Sequence, residues 1–566
     1  MTDSSAISTK IDTKTSSKSG ARQNFAKGII LCTFNARYSH ASLGLRYLAA
    51  NMGALEESTA IVEFTISHDA LEAAEKLLLR EPRLIGFGVY IWNSEITLET
   101  IRILKSIAPD VCVVVGGPEV SYEFDEQAIC TLADYVITGA ADQRFAELCS
   151  DVLAGTRPQG KIQSALPLKL DQLTLPYSKY TDEDLKNRII YVEASRGCPF
   201  KCEFCLSSLD KTAVPFPLDS LLAQMQSLFE RGARHFKFVD RTFNLKVDSC
   251  LEILDFFLEL KSDDLFLHFE LIPDRLPERL KEKIQQFSPG QLQFEIGIQS
   301  FNQNVQALIS RRQNMQKTIE NMQWLAEHSS AHIHADLIFG LPGESLESFA
   351  DGFDQLVALA PDEIQLGLLK RLRGTPIERH SQAYDMRYQS HPPYRLLSSS
   401  TVDFATVQRI ARMARYWDLV ANSGRFNHVL PYVLAHQPFY RFLNFSDWLY
   451  RETGQTHKIA LARLFRLLAT WLAENPASSL DIHAGRKLDQ TAQGLEALAE
   501  DCTRAGFDLS LMRSKGLAKN MARTAADKAP RKSESFGKAS TSDQATDSSP
   551  SSHQKRQRRH LAITEE

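Results

Sequence analysis

From residue 28 to about 155, short apolar runs alternate with stretches whose apolar residues recur at helical spacing. The runs at 28–34, 61–66, 84–92, 111–116 and 135–138 read as strands, and 43–52, 71–79, 96–107, 124–132 and 145–153 as the helices between them. Five successive β/α repeats over 27–157 predict a doubly wound, Rossmann-like parallel sheet. Residues 158–184 interrupt the pattern with Pro158, Gly160, Pro167 and Pro176 and read as a linker. A second β/α series occupies 185–394, with candidate strands at 189–194, 235–239, 266–271, 293–298, 332–339 and 363–369, each followed by a segment able to form a helix. Six repeats predict a partial (β/α)6 TIM-like barrel, whose chemistry belongs to the loops after the strand ends. Residues 395–513 carry Arg, Leu, Trp and Ala at amphipathic spacing and predict an α-helical domain. The two ends, 1–26 and 514–566, are polar and low in hydrophobicity, as expected of a disordered leader and a disordered tail.

The formal charge of −4 over 566 residues supplies no general field toward nucleic acid or anionic lipid. The basic run Lys555-Arg556-Gln557-Arg558-Arg559 is most simply part of a solvated tail, so a nucleic-acid partner is not expected. No apolar run approaches the roughly 18 residues of a spanning helix, and no secretory segment opens the chain. Nine cysteines, six of them single residues in apolar or helical surroundings, suit a reducing compartment; the expectation is a soluble cytoplasmic protein without a membrane partner.

Three cysteines stand apart: Cys198, Cys202 and Cys205, spaced C-x3-C-x2-C directly after the first strand of the second series. Structural zinc needs four protein ligands, and no second C-x2-C or H-x3-H follows. Chance burial conflicts with the polar neighbours Arg196, Lys201 and Glu203 and with the turn Gly197-Cys198-Pro199. A [4Fe–4S] cubane held by three thiolates would leave one iron open to a chelating small molecule.

With Phe204 before the last cysteine, and the triplet on the first barrel loop, the chain resembles the radical S-adenosylmethionine (SAM) superfamily. The resemblance implies that Cys198, Cys202 and Cys205 hold a [4Fe–4S] cluster whose open iron chelates SAM. An electron then passes to the sulfonium, releasing a 5′-deoxyadenosyl radical that takes hydrogen from a substrate. It also implies a flavodoxin- or ferredoxin-like electron donor. SAM contacts are implied at Phe204, at Asp240 and Asn244 after the second strand, at Glu270 ending the third, and at Gln299 and Ser300 ending the fourth. Ile338 and Gly340, in the Asp336–Glu344 segment, would cradle adenine. Lys370, Arg371 and Arg373 after the sixth strand would meet an anionic substrate or face solvent, and the residues do not decide between these. No side chain is assigned as catalytic, and the substrate is unknown.

The first domain resembles the cobalamin-binding domain that precedes the barrel in one subgroup, through residues 84–90, 113–119 and 134–139; Gly116 and Gly117 would admit a flat ligand. The departures are as informative. In place of D-x-H-x-x-G stands Tyr38-Ser39-His40-Ala41-Ser42-Leu43-Gly44, so His40 reads as a surface or helix-start residue, and both cobalamin binding and loss of the ligand stay open. Around residues 415–426 the chain resembles an uncharacterised C-terminal domain found behind this pair. The expected function is a radical SAM enzyme, with cobalamin-dependent methyl transfer as its finer form. The alternatives are a methylthiotransferase-like modifier, which needs a second cluster that Cys32, Cys112 and Cys130 are badly placed to form, and a non-catalytic iron–sulfur or corrinoid-sensing module.

Overall fold

The computed structural model describes residues 28–166, 169–476, 478–481, 486–489 and 491–512; the expected leader and tail lie outside them. The first sheet is parallel, in the order β2-β1-β3-β4-β5-β6: β1 (Ile29–Asn35), β2 (Thr59–Thr65), β3 (Leu84–Gly88), β4 (Cys112–Gly116), β5 (Tyr135–Thr138) and β6 (Ile162–Ser164). All seven residues of β1 are buried, as a central strand with helices on both faces requires. The chain leaves β1 first toward β2 and then toward β3, so the crevice at the C-terminal ends of β1 and β3 is the topological switch point.

Two differences from the sequence reading arise here. The third strand ends at Gly88 rather than continuing to residue 92, because the Asn93 side chain accepts from Tyr90 N and donates to the Phe34 carbonyl, folding 89–93 into a turn. β6 falls inside the stretch expected as a linker. An edge strand of three residues is held by backbone pairing to β5 and needs little apolar pattern of its own.

The second sheet is also parallel, and its strands follow chain order: β7 (Ile190–Val192), β10 (His235–Phe238), β11 (Phe266–Leu271), β12 (Leu292–Gln299), β13 (His332–Phe339) and β14 (Glu363–Leu368). β7 and β14 are the unpaired edges of an incomplete barrel. The two-residue strands β8 (Ser195–Arg196) and β9 (Val214–Pro215) pair antiparallel across the base of the cysteine loop. After β14 no helix follows at once. A 3-10 turn (Pro376–His380) and a hairpin of Arg387–Tyr388 with Leu396–Ser398 intervene before the helix Phe404–Val420, so the hairpin straddles residue 395, where the helical domain was expected to begin.

The helical region packs onto the barrel and shares its core. Trp417 meets Phe353 edge-on at 4.9 Å, Phe439 meets Phe349 at 5.9 Å, and Asn422 exchanges both hydrogen bonds with the Ile364 backbone in β14. Among the described residues no helix is long and apolar enough to cross a membrane.

Candidate active site

The cysteine loop is shaped by backbone constraints before any cofactor is considered. Gly197 has φ +90, and a Cβ there would lie 2.2 Å from the Thr212 carbonyl oxygen, so only glycine fits. Cys198 N donates to Asp210 O at 3.0 Å, Cys205 N to Cys202 O at 3.1 Å, and Ser208 Oγ to Cys205 O at 2.7 Å. Between the ligands, Glu203 is 2% exposed and works as an anchor. Its N–H donates to Ile309 O, its carbonyl accepts from Ile377 N, and its carboxylate takes His380 Nε2 at 2.9 Å together with Ser310 Oγ and Arg379. One buried carboxylate thereby ties the loop to the segments following β12 and β14.

Burial raises the Cys198 thiol pKa; the Phe200 N–H opposes this, and the neighbouring Cys205 and Cys202 sulfurs add to the rise. Three thiols so close would resist ionising together without a metal charge to receive them. Three cysteines on one loop are the donor chemistry of a [4Fe–4S] cubane with one open iron, and Cys198, Cys202 and Cys205 are the residues that would hold it. Arg311 completes the surroundings: Nη1 lies 3.5 Å from Cys202 Sγ, and Nη2 donates to Gly297 O.

Gln299 is the neighbour of this corner with an unmet valence. It sits at the β12 bulge with φ +71, and its Oε1 is buried without a hydrogen-bond partner. A Cβ at Gly297 would lie 2.5 Å from Gln299 Nε2, so the glycine makes room for that side chain. Ser300, 1% exposed, donates to Glu344 Oε1, while its carbonyl accepts from Gln306 Nε2 at 2.6 Å. Glu344 Oε2 is buried and unpartnered, and burial lifts the acid to about 7 despite the Ser300 hydroxyl.

The other residues marked from sequence fall at the same end of the barrel. Ile338 and Phe204 are half-buried, and Gly340 has φ +88, where a Cβ would collide with Leu396. Asp240, 4% exposed, accepts from Ala194 N at 2.9 Å and Ser195 Oγ at 2.6 Å, joining the ends of β7 and β10. Asn244 spends its amide on the Ile272 and Arg275 backbone. Glu270 is different: burial raises it to about 7, and its partner Arg241, at 2.6 Å, is half-exposed to the hollow.

Below them polar residues at alternate positions of β10 to β14, half-buried apart from the buried His268, form a polar belt. Glu295 lies 3.0 Å from His268 Nε2 and 3.6 Å from Lys237 Nζ; His334 lies 3.3 Å from both Asp336 and Glu363. Burial lowers His268 to about 4, whereas the carboxylates beside His334 overcome burial and carry it to about 10.

At the C-terminal end of the first sheet, a Cβ added at Gly116 would make ordinary contact with Ile137 O at 3.5 Å, and one at Gly139 with Ala165 Cβ at 3.8 Å, so crowding does not require glycine at either position. Gly117 serves the fold, since its φ is +112 and a Cβ would lie 2.5 Å from Val89 O. His40 turns to the barrel, with Nδ1 2.6 Å from Tyr191 OH.

Charged contacts then set the two domains mouth to mouth. Arg196, two residues before Cys198, binds Asp142 bidentately at 3.0 and 3.1 Å beyond the end of β5, and Glu193 at 2.9 Å. Arg371 and Arg373, left between substrate and solvent by the sequence, instead grip Glu123, and Arg373 with Tyr394 OH also holds Glu119. A buried network of Arg46, Glu63, Asp184 and Arg188 closes the other side. Glu203, Arg311 and these interdomain carboxylates escaped the sequence reading, because each pairs with a residue far along the chain.

A barrel with a three-thiolate loop at its mouth, faced by a switch-point crevice, defines a radical SAM enzyme with a corrinoid-type domain. Comparison with known proteins agrees. Residues 192–356 match the radical SAM superfamily, 30–149 the B12 binding domain, and 382–562 a family described as a protein of unknown function, DUF4080. The chain therefore carries a radical SAM domain preceded by a B12-binding domain. The cofactors of the matched domains are a [4Fe–4S] cluster with SAM, and cobalamin.

An uncharacterized methyltransferase of Pyrococcus horikoshii is 24% identical over 54% of this chain and 70% of its own length. A tRNA-2-methylthio-N(6)-dimethylallyladenosine synthase of a Psychrobacter species is 24% identical over 49% of this chain and 58% of its own. The radical S-adenosylmethionine methyltransferase TsrM of Kitasatospora setae, solved with cobalamin and a [4Fe–4S] cluster bound, superposes with a TM-score of 0.53 at 15% identity, covering 64% of this chain and 78% of that one. That likeness is one of fold.

Proposed function

We propose that this protein is a cobalamin-dependent radical SAM methyltransferase acting on a substrate bound at the barrel mouth. One observation carries the reading: the glycine-bearing C-terminal edge of the first sheet and the cysteine loop face each other, held by Arg196–Asp142 and by Arg371 and Arg373 on Glu119 and Glu123. The cluster would supply one electron to bound SAM and the corrinoid a methyl-carrying centre.

The chain's own residues bind and orient. Cys198, Cys202 and Cys205 would ligate the cluster. The Arg311 cation beside Cys202 would receive the SAM carboxylate, and the unpartnered Gln299 Oε1 a SAM hydrogen-bond donor. Glu270, poised near neutrality against Arg241, is placed to hold the ribose hydroxyls or the amine. The interdomain ion pairs would hold the two edges in a fixed relation to each other.

The test is anaerobic reconstitution with iron, sulfide and cobalamin. The expected result is a reducible iron–sulfur EPR signal, a corrin absorption band that stays with the protein through gel filtration, and SAM turnover. A Cys202→Ala protein that still cleaved SAM, or a wild type that released all corrin, would overturn the proposal.

A further inference from the structure

The turn that the sequence assigns to adenine, Gly340-Leu341-Pro342-Gly343-Glu344, has little stiffness of its own. Gly340 and Gly343 take φ +88 and +74, and glycine has the most backbone freedom to lose on being fixed. Within the turn, Glu344 N donates to Leu341 O at 3.1 Å. The rest of its support comes from the hairpin of Arg387–Tyr388 with Leu396–Ser398 and the residues that flank it. Three residues of that region meet the turn at three places. Leu396 is buried in the space that a Cβ at Gly340 would need. The Tyr384 ring covers the second glycine, where a Cβ at Gly343 would lie 3.1 Å from Tyr384 Cε1. Thr401 Oγ1 donates to the Glu344 carbonyl at 2.8 Å.

The hairpin is itself anchored on three sides. Ser400 N donates to Tyr384 O at 2.7 Å and Gln389 N to Arg395 O at 2.9 Å, which closes the segment on itself. Leu396 N donates to Leu369 O at 2.9 Å and Arg371 N to Tyr394 O at 3.0 Å, with Lys370 and Arg395 paired antiparallel between them, so residues 394–396 lie along the chain just beyond β14. Leu369 N in turn donates to Phe339 O at the end of β13, one residue before the turn. Tyr394 OH donates to Glu119 of the first domain at 2.5 Å. A segment fixed to the barrel edge, to the first domain and to itself can hold a turn that its own glycines leave loose. Tyr384, Leu396 and Thr401 lie beyond the radical SAM match, which ends at residue 356, and inside the 382–562 match to a family of unknown function.

We propose that this C-terminal region supplies the positioning wall of the SAM site: Tyr384, Leu396 and Thr401 set the geometry of the Gly340–Glu344 turn and through it the affinity for SAM. The inference rests on the functional reading above. All three residues touch the turn, and they act on the cofactor through it. A site that holds its binding geometry for only a fraction of the time binds more weakly by the inverse of that fraction.

The experiment titrates SAM into the full-length reconstituted protein, reduced by dithionite, and follows the change in the EPR signal of the cluster. Leu396→Ala gives Gly340 room to move and is expected to raise the apparent dissociation constant at least about fivefold, the turn then being in place about a fifth of the time or less. Leu396→Met keeps the volume and should return it to within about twofold of wild type. Thr401→Val is nearly isosteric and should raise the constant about two- to tenfold, the range for one lost hydrogen bond, with Thr401→Ser restoring it. Iron content, and the EPR line shape at saturating SAM, should match wild type in all four, because the wall governs how often the site is formed and not what the site is. Wild-type affinity in both Leu396→Ala and Thr401→Val, or conservative replacements that restore neither, would overturn the proposal. A wild-type cluster whose EPR signal SAM leaves unchanged would instead overturn the functional reading beneath it, so the two failures are told apart in the same titrations.

Discussion

Replacing Glu344 by glutamine is expected to stabilise the protein at pH 8 while leaving it nearly unchanged at pH 5. Glu344 is 3% exposed, and it holds Ser300 through one oxygen while the other has no partner. Burial therefore lifts it from 4.5 to about 7. A carboxyl with a raised folded pKa binds more protons folded than unfolded between those two values, so stability falls as pH rises across that window and levels off above about 7. The full shift corresponds to about 3 kcal/mol. Glutamine keeps an acceptor for Ser300 but cannot ionise, so it removes this slope. If the barrel domain melts as a unit, the variant should gain about 6–12 °C relative to wild type at pH 8. Unfolding would be followed by calorimetry at both pH values, wild type against variant, so that every other titrating group cancels. Equal melting points at pH 8, or the same shift at pH 5 and pH 8, would refute the argument. SAM affinity serves as the functional readout, since Ser300 fixes the backbone beside Gln299: Glu344→Ala should weaken SAM binding, and Glu344→Gln should restore it.

Gly197→Ala should reduce iron incorporation severely, because its Cβ has no room beside the Thr212 carbonyl and its φ is left-handed; iron per chain after reconstitution is the measurement. In a double-mutant cycle, Arg373→Ala and Glu119→Ala should show a coupling of about 0.5–3 kcal/mol in unfolding, whereas independent effects would mean the pair does not join the domains. His334, carried up to about 10 by Asp336 and Glu363, stabilises the fold fully below its unfolded value of 6.5 and loses that contribution as pH rises toward 10; His334→Gln should flatten the decline in thermal midpoint over this range.

The barrel was legible because its strands carry a period of two along one packed face. His332–Phe339 was marked from its pattern with the bounds it has in the structure. The cysteine ligands were legible because spacing within one loop is local. What escaped is non-local. Glu203 looked like a loop carboxylate, yet it meets Arg379 and His380, some 176 positions away. Arg371 and Arg373 looked equally suited to solvent or to an anionic substrate, because charge alone does not name its counterion. Asp240 and Asn244 show the reverse effect. Polar residues at strand ends were marked for a cofactor, and the fold engages both in backbone hydrogen bonds that such residues satisfy equally well.

The ion pairs between the domains are a poor source of stability, since each charge loses hydration that its partner only partly repays. Their arrangement is better understood as alignment. Arg196 belongs to the short strand pair at the base of the cysteine loop, and its two N–H groups match the two oxygens of Asp142 beyond the end of β5. A bidentate contact of this sort fixes angle as well as distance. Arg371 and Arg373 do the same from beyond β14 through Glu119 and Glu123, which follow β4. Two such contacts, anchored on opposite edges of the barrel sheet, determine the rotation of the first domain over the mouth in a way that one contact or an apolar seam would not. The thiolate loop and the glycine edge thus inherit a defined mutual orientation from residues that take no part in the chemistry.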